Sequence, residues 1–211
     1  MKSVRFSTAA WLLAAGLVLL PLPAAATTLS KAVFSGGCFW GVEAVFERLK
    51  GVSQAVSGYT GGTMTNPDYE SVSSGQTGHA ESVEVTYDAE VVSYDTLLKV
   101  YFLVAHDPTQ LNYQGPDYGT QYRSAVWYGT PAQKALIEAA ISKLKVDKTY
   151  KDPIVTEVKP LTKFWVAEDY HQDFIKKNPT QGYIVRFDLP KLRFLERNFA
   201  TLVKPLSLIH I

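Results

Sequence analysis

The pattern of hydrophobic positions predicts short strands and helices separated by long polar loops. Apolar residues recur at intervals of three and four between Phe39 and Leu49, as on one face of a helix. Between His79 and Tyr87 apolar and polar residues alternate, as in a half-buried strand. The same reasoning predicts strands over 31–34, 52–57, 79–87, 122–128 and 154–158, and helices over 38–50, 94–104, 131–144, 168–177 and 189–199.

The order of these elements favours a single α+β domain. Strands and helices are interspersed without the regular alternation of a doubly wound fold. The sequence shows no repeat of roughly 20–50 residues, no glycine-rich phosphate loop and no internal linker. Two loops, 58–78 and 105–120, are longer than most connections in compact domains, which is typical of functional segments.

The first 26 residues have the composition of a cleaved secretory signal. Lys2 and Arg5 precede an apolar run over 11–20, and the alanines at 24–26 are small residues of the kind that a signal peptidase requires. The run is too short for a membrane-spanning helix, which takes ~20 residues. We therefore expect a mature chain that begins near Thr27 and is periplasmic or secreted; the alternative is a retained membrane anchor.

The last six residues, 206–211, read Leu-Ser-Leu-Ile-His-Ile and look foreign to a surface tail. They match the translation of a transposon adapter used in sequencing libraries. We interpret them as non-native, which puts the end of the domain at Pro205 and gives one domain over 27–205. A genomic reading frame that continues through Ile211 would contradict this interpretation.

Charge and cysteine content narrow the possible functions. Removal of the signal leaves 185 residues with 19 basic and 20 acidic side chains. This balance gives no excess of positive charge, which a protein that binds nucleic acid or an anionic membrane would need. A monomer is the expected state. Cys38 is the single cysteine, so no internal disulfide can form. An unpaired thiol in an exported protein is either buried or chemically used.

Cys38 lies where a glycine turn opens the first predicted helix. The unpaired N–H groups and the positive end of the helix dipole favour a thiolate there. The alternative is a small buried side chain, because free cysteine is among the most buried residue types. Glu81 is a second candidate, since it lies on the apolar face of the strand that ends at Tyr87. A carboxylate on that face indicates a functional site, unless Glu81 lies just outside the core.

The histidines do not form a metal set. His79, His106 and His171 are scattered, and the spacing of Glu168 and His171 on a predicted helix is typical of a solvated face. A cysteine hydrolase would need a histidine base, for which His106 or His79 is available. A thiol-based reductase would instead need a carboxyl group of raised pKa, with phenols, as proton donors. The remaining alternatives are a cysteine peroxidase and a non-enzymatic periplasmic module that binds peptides or glycans.

Five motifs, in this order, resemble the peptide methionine sulfoxide reductase A family. They are Gly36-Gly-Cys-Phe-Trp-Gly-Val-Glu43, Gly58-Tyr-Thr-Gly-Gly62, Gly78-His-Ala-Glu81, His106-Asp-Pro108 and Gly119-Thr-Gln-Tyr-Arg-Ser124. The resemblance covers about 33–190. It implies a catalytic reductase domain with a two-layer α+β sandwich, in which helices pack on a mixed β-sheet.

The resemblance also implies a role for each candidate in the chemistry. Cys38 would attack the sulfur of methionine S-sulfoxide and become a sulfenic acid, releasing methionine. Glu81 would protonate or hydrogen-bond the sulfoxide oxygen, and Tyr69 and Tyr122 would share this role. Such an enzyme would repair oxidised exported proteins.

Substrate binding and recycling follow from the same resemblance. Phe39 and Trp40 would surround the substrate methyl group, and Asp117 would be a polar residue of the site. No bound cofactor or metal is expected. Many relatives carry resolving cysteines, often in the C-terminal tail, and this chain has none. We therefore expect an external reductant, either a thioredoxin-like protein or a small thiol such as dithiothreitol in vitro; the alternative is that a tail bearing a second cysteine has been lost.

Overall fold

A computed structural model describes residues 29–205, so the predicted signal segment 1–26 and the predicted tail 206–211 lie outside the described residues. The strands are β1 Leu29–Ser35, β2 Val52–Thr60, β3 Ala80–Asp88, β4 Tyr113–Gln114, β5 Asp117–Tyr118, β6 Ala125–Tyr128, β7 Glu157–Pro160 and β8 Phe164–Val166. The helices are α1 Phe39–Glu47, α2 Tyr69–Ser73, α3 Tyr94–Val100, α4 Pro131–Val146, α5 Phe174–Lys177 and α6 Leu189–Asn198. Helix α3 continues as a π-helical turn over Tyr101–Ala105, and a second such turn, Ile184–Asp188, leads into α6.

The main sheet is mixed, as the resemblance implies. Its strand order is β7-β6-β1-β3-β2-β8, and β4 and β5 form a separate hairpin. Strands β6 and β7 run parallel, whereas the other neighbouring pairs of the main sheet are antiparallel. Helix α1 packs on β2 and β3 and contacts α6. The fold is therefore α+β, with a layer of helices packed on a mixed sheet.

The alternation along the central strands decides which residues enter the core. Phe34 of β1 is fully buried and stacks on Phe46 of α1, with 4.7 Å between the ring centroids. The Tyr101 ring also stacks on Phe34, with 5.0 Å between the ring centroids. Val83 and Val85 of β3 are buried beside them. Burial of each large apolar side chain contributes about 1.5–3 kcal/mol, so this layer holds α1 against the sheet.

Most predicted elements are present, and their ends differ for local reasons. Helix α4 begins as predicted, because Thr130 Oγ1 accepts a hydrogen bond from Gln133 N–H at 3.2 Å. The strand predicted over 122–128 starts at Ala125, and the one predicted over 154–158 starts at Glu157. The prediction of a helix over 168–177 is wrong for the first half of this segment. Asp173 has a left-handed φ of 54°, so the segment is helical only after it.

The two long loops contain elements that periodicity did not predict. Loop 58–78 contains α2, which Asp68 caps through its side chain. Loop 105–120 contains the β4–β5 hairpin, in which the Tyr113 and Tyr118 rings stack at 5.3 Å. Both elements are too short to show a hydrophobic period in the sequence. A capping hydrogen bond stabilises α2, and ring stacking stabilises the hairpin.

The turn between β1 and α1 is packed from behind by two side chains. At Gly37 φ is +87°, a conformation that favours glycine, and Gln114 lies 2.5 Å from where a Cβ would stand. At Gly36 a Cβ would come within 2.8 Å of the His106 ring. A side chain at either position would push this turn outward. The two glycines therefore set the position of Cys38.

Residues 167–177 are tied to α1 and β2 by hydrogen bonds. Gln172 Oε1 accepts from Ser57 N–H at 2.9 Å, and its amide donates to the Ser57 carbonyl at 3.0 Å. Glu43 of α1 accepts from Asp173 N–H at 2.5 Å and also from the Ser57 hydroxyl. These bonds hold the segment against α1 without a regular helix.

A Glu43→Gln variant tests this connection through pH. Burial raises the pKa of Glu43 to about 7, above the value of about 4.3 in an unfolded chain. The folded protein therefore keeps a proton that the unfolded chain releases, and stability falls by about 4 kcal/mol as pH rises through these two values. Glutamine keeps an acceptor for Asp173 N–H and does not ionise. Its amide can donate a hydrogen bond to the Ser57 oxygen, which in wild type donates to Glu43. We expect the variant to gain stability relative to wild type between about pH 5 and pH 8, measured by urea unfolding. An exposed Glu138→Gln variant is the control; a difference between Glu43→Gln and wild type that does not change with pH contradicts the prediction.

Candidate active site

Cys38 lies at the N-terminal end of α1, directly after the glycine turn, and is 9 % exposed. Burial raises the pKa of its thiol well above the usual value, and the carboxylates of Glu81 and Asp188 raise it further. A hydrogen bond from the Trp40 N–H offsets only part of this. The expectation of a thiolate is therefore wrong for the substrate-free protein, because desolvation outweighs the helix terminus.

Glu81 is buried at the start of β3 and is 1 % exposed, so it does not lie outside the core. Its Oε2 accepts a hydrogen bond from Phe39 N–H at 3.0 Å, which brings the carboxyl group to the residue that follows Cys38. Burial raises the pKa of Glu81 to about 8, with Asp117 adding to the effect and the Phe39 N–H opposing it. At neutral pH the group is therefore a neutral acid that can donate a proton.

Asp188, a residue that the sequence did not single out, lies fully buried near Cys38. Its Oδ1 is 3.2 Å from Lys191 Nζ, whereas Oδ2 has no hydrogen-bond partner among the described residues. The carboxylate packs on Gly41 of α1, where a Cβ would collide with it. Because Asp188 directly precedes a helix, its sequence position is that of an N-cap residue. Its side chain nevertheless makes no capping hydrogen bond to α6.

We expect an Asp188→Asn variant to lower the pKa of Cys38. The substitution removes a negative charge that raises the pKa and leaves the positive charge of Lys191 in place. The measurement is the midpoint of a pH titration of Cys38 alkylation, with exposed Asp152→Asn as the control. A midpoint for Asp188→Asn that stays equal to wild type, or rises, contradicts the prediction.

The two predicted phenols come from the loops on either side of β3 in the sequence. Tyr69 begins α2 and Tyr122 ends the turn before β6, and both are half-buried. Burial raises the pKa of both hydroxyls, and the charges of Glu81, Asp117 and Cys38 raise it further. Both therefore stay protonated at neutral pH. Because the charges of Cys38 and Glu81 raise the pKa of both hydroxyls, both phenols lie near the thiol and the buried acid.

Asp117 of β5 is half-buried and accepts a hydrogen bond from the Tyr183 hydroxyl. Burial raises the pKa of Asp117, although the Tyr183 hydroxyl and the charge of Lys191 oppose this. Tyr183 is a further site residue that the sequence did not indicate. It connects the β4–β5 hairpin to the segment that leads into α6.

An aromatic wall forms around the start of α1. The Trp40 indole stacks on Phe174 at 3.7 Å with an interplanar angle of 5°, and it meets Tyr183 edge-on at 6.0 Å. Trp40 Nε1–H donates to His171 Nδ1 at 3.1 Å, and Phe39 packs 4.9 Å from the same ring. The structure thus brings the predicted site residues to one place: Cys38, Phe39, Trp40, Tyr69, Glu81, Asp117 and Tyr122.

The two histidines considered as bases are engaged elsewhere. His106 donates from Nδ1 to the Tyr101 carbonyl at 3.1 Å and accepts from the Ser124 hydroxyl at 2.6 Å. Burial lowers the pKa of His106 to about 4, so the ring is neutral. His79 accepts from Gly62 N–H and donates to a carbonyl of its own loop. A cysteine–histidine pair of the hydrolase type is therefore not formed by His79 or His106.

Glu168 and His171 do not lie on a solvated face, so that interpretation is wrong. The segment is a series of turns at this point, and His171 is 1 % exposed. Its ring lies among aromatic side chains, whereas the Glu168 carboxylate accepts hydrogen bonds from Tyr69 and Tyr59. Helical periodicity could not reveal this, because the segment is not a helix.

Two further features concern metals and membranes. Within residues 29–205, the carboxylates of Glu43, Glu47 and Asp173 approach one another within 4.8 Å. Lys176 already pairs with Glu47 and Asp173, and Glu43 is hydrogen-bonded, so we assign no metal to this group. In the same range, no helix is both long and apolar enough to cross a bilayer.

Comparisons of the sequence with known proteins all indicate one family. The family model described as peptide methionine sulfoxide reductase matches residues 30–202. A protein of Mesorhizobium japonicum named peptide methionine sulfoxide reductase MsrA 2 is 54 % identical over 178 residues, covering 84 % of this chain and 91 % of that protein. The MsrA of Deinococcus radiodurans is 49 % identical over 169 residues, covering 80 % and 82 %.

Solved structures show the same likeness. The crystal structure of Mxr1 from Saccharomyces cerevisiae in reduced form is similar with a TM-score of 0.68 and 32 % identity, covering 74 % of this chain and 88 % of that one. Methionine sulfoxide reductase A of Corynebacterium diphtheriae gives a TM-score of 0.64 and 37 % identity, covering 72 % and 76 %.

Proposed function

The chain belongs to the peptide methionine sulfoxide reductase family, and from this premise we propose that it reduces methionine S-sulfoxide through a Cys38 sulfenic acid. The observation that supports this most directly is the placement of Glu81. A neutral carboxylic acid is hydrogen-bonded to the N–H of Phe39, the residue next to the single thiol. Nucleophile and proton donor therefore stand at the same helix start, as an oxygen transfer from sulfoxide to thiol requires.

The proposed reaction moves one oxygen atom and two electrons. The Cys38 sulfur attacks the sulfoxide sulfur and forms an S–S bond. This S–S bond and the S–O bond then break as the oxygen moves to Cys38, and methionine leaves with the electron pair on its sulfur. Glu81 donates its proton to this oxygen, which becomes basic as the S–O bond weakens. The proton released by the thiol replaces the one that Glu81 gave up. The products are methionine and the Cys38 sulfenic acid, the first reversible step of cysteine oxidation.

Tyr69 and Tyr122 support the same step as hydrogen-bond donors. Their raised pKa keeps both phenols protonated across the physiological range, so they can stabilise negative charge on the oxygen. Phe39 and Trp40 provide the apolar surface for the substrate methyl group. Asp117, held by the Tyr183 hydroxyl, is a polar contact at the edge of this surface.

We infer that a thiol from outside these 211 residues regenerates Cys38. The sequence contains one cysteine, so the sulfenic acid cannot form an internal disulfide. An external thiol attacks the Cys38 sulfur, water leaves, and a second thiol releases the resulting mixed disulfide. A thioredoxin-like protein or a small thiol fits this role. With the predicted signal peptide, the substrates would be oxidised proteins outside the cytoplasm.

Turnover with the two sulfoxide epimers tests the proposed function. We expect the protein to reduce methionine S-sulfoxide with dithiothreitol and to leave the R epimer unreduced. After oxidation by the sulfoxide, one equivalent of a small monothiol should form a mixed disulfide with Cys38 that is visible by mass spectrometry. Activity on hydrogen peroxide or an ester without sulfoxide reduction would contradict the proposal and favour a peroxidase or hydrolase. An unreactive thiol with neither activity would favour a binding module.

A further inference from the structure

Glu168 has no part in the proposed reaction, yet it contacts two sides of the site. It follows β8, and its Oε1 accepts a hydrogen bond from Tyr69 N–H at 2.8 Å. Its Oε2 accepts from the Tyr59 hydroxyl at 2.9 Å. Burial alone would raise the pKa of Glu168, but these bonds and nearby His171 lower it. The group is therefore a carboxylate at neutral pH.

The bond to Tyr69 anchors a short helix. Tyr69 is the first residue of α2, a five-residue helix within the long loop 58–78. The first N–H groups of a helix have no partner inside it. Asp68 satisfies one of them, at Ser71, and Glu168 satisfies the one at Tyr69. Glu168 thus fixes the residue whose phenol is close enough to Glu81 and Cys38 for their charges to raise its pKa.

His171 connects the same carboxylate to the aromatic wall. Its ring is 1 % exposed and lies 4.5 Å from the Tyr69 ring and 4.9 Å from Phe39. Nδ1 accepts from Trp40 Nε1–H at 3.1 Å, so in the neutral ring the proton is on Nε2. Nε2 has no hydrogen-bond partner among the described residues, and it lies 3.9 Å from Glu168 Oε2. The negative charge of Glu168 therefore faces the N–H end of the ring.

The orientation of Trp40 depends on this ring. Stacking on Phe174 fixes the plane of the indole but permits rotation within that plane. The hydrogen bond to His171 removes this freedom, provided that Nδ1 stays unprotonated and points at the indole. A charge on the opposite side of the ring selects the required tautomer, as carboxylates do for other histidines.

We propose, on the basis of the function proposed above, that Glu168 is a positioning residue that holds two walls of the site at once. It holds Tyr69 directly, through the backbone N–H, and Trp40 indirectly, through His171. One carboxylate thereby sets the distance between the phenol that faces the sulfoxide oxygen and the indole that faces the substrate methyl group. The ties of Gln172 to Ser57 keep this carboxylate in place relative to the sheet.

Four variants separate this role from a general effect on folding. Glu168→Gln keeps an acceptor for Tyr69 N–H but removes the charge that faces His171. His171→Asn places an amide oxygen close to the position of Nδ1 and keeps an acceptor for Trp40, whereas His171→Ala removes it. Glu70→Gln changes an exposed carboxylate on α2 and is the matched control. The readouts are the indole ¹H–¹⁵N resonance of Trp40, assigned by its loss in Trp40→Phe, and steady-state kinetics on methionine S-sulfoxide.

We expect His171→Ala to shift the indole resonance and to raise KM about tenfold while kcat changes less than about threefold. His171→Asn should restore most of the resonance position and of KM. Glu168→Gln should shift the same resonance and lower kcat/KM about tenfold, with Glu70→Gln equal to wild type in both readouts. An unchanged indole resonance in Glu168→Gln, or an equal shift in Glu70→Gln, would overturn the proposal. A wild-type protein inactive on sulfoxide would instead contradict the proposed function, and the resonance would still decide the role of Glu168.

Discussion

A Cys38→Ser variant is expected to lose methionine S-sulfoxide reduction by at least about 10⁴-fold, because in the proposed reaction the Cys38 sulfur accepts the oxygen. A serine hydroxyl is a far weaker nucleophile at neutral pH, and its oxygen has no counterpart of the sulfenic acid. The chain offers no second thiol to take over. The measurement is methionine formed from a peptide S-sulfoxide with dithiothreitol in excess.

The serine variant is also expected to fold normally, which its unfolding transition and its binding of the sulfoxide can show. Serine is close in size to cysteine. The turn that contains position 38 is defined by Gly36 and Gly37 and does not depend on the side chain of residue 38. Wild-type protein treated with dimedone should carry one adduct, at Cys38, only after reaction with sulfoxide. Full reductase activity in Cys38→Ser would be incompatible with the proposed mechanism.

Substitutions of Glu81 are expected to have the second-largest effect, and the effect should depend on hydrogen bonding. Glu81→Gln keeps an acceptor for the Phe39 N–H and a donor for the sulfoxide oxygen, so we expect a loss of only about tenfold in kcat. Glu81→Ala removes both, and its loss should be about 10²–10³-fold, as for other donors to developing oxyanions. Equal losses in the two variants would show that hydrogen bonding to the oxygen is not the role of this group.

The raised pKa of Glu81 leads to a pH dependence that binding can reveal. Below about pH 8 the carboxyl group is protonated and can donate to the sulfoxide oxygen; above it the carboxylate repels that oxygen. In the Cys38→Ser background, affinity for methionine S-sulfoxide should therefore fall as pH rises through about 8. Adding Glu81→Gln should make the affinity independent of pH over this range. A Cys38→Ser protein whose affinity stays constant through pH 8 would contradict a neutral Glu81.

Local signals in the sequence were enough for several parts of this protein. The start of α4 follows from Thr130 and Gln133, whose hydrogen bond lies within four residues. The period-two pattern of β3 placed Glu81 on the buried face, because side chains of a strand alternate between faces regardless of what packs on them. The order of the motifs indicated the family and the set of residues around Cys38.

Other properties depended on which distant residues meet. The helix start favours a thiolate at Cys38, but burial raises the pKa of the thiol and opposes that preference. Glu168 and His171 fit a solvated helix by spacing, yet turns bring them against Tyr69 and Trp40.

The sequence by itself therefore determined the strand and helix faces, the single thiol and the buried acid, since these depend on neighbouring residues. Only the tertiary structure decided the protonation of Cys38 and the positions of Trp40 and Tyr69. Desolvation and hydrogen bonds between distant segments do not exist until the chain has packed.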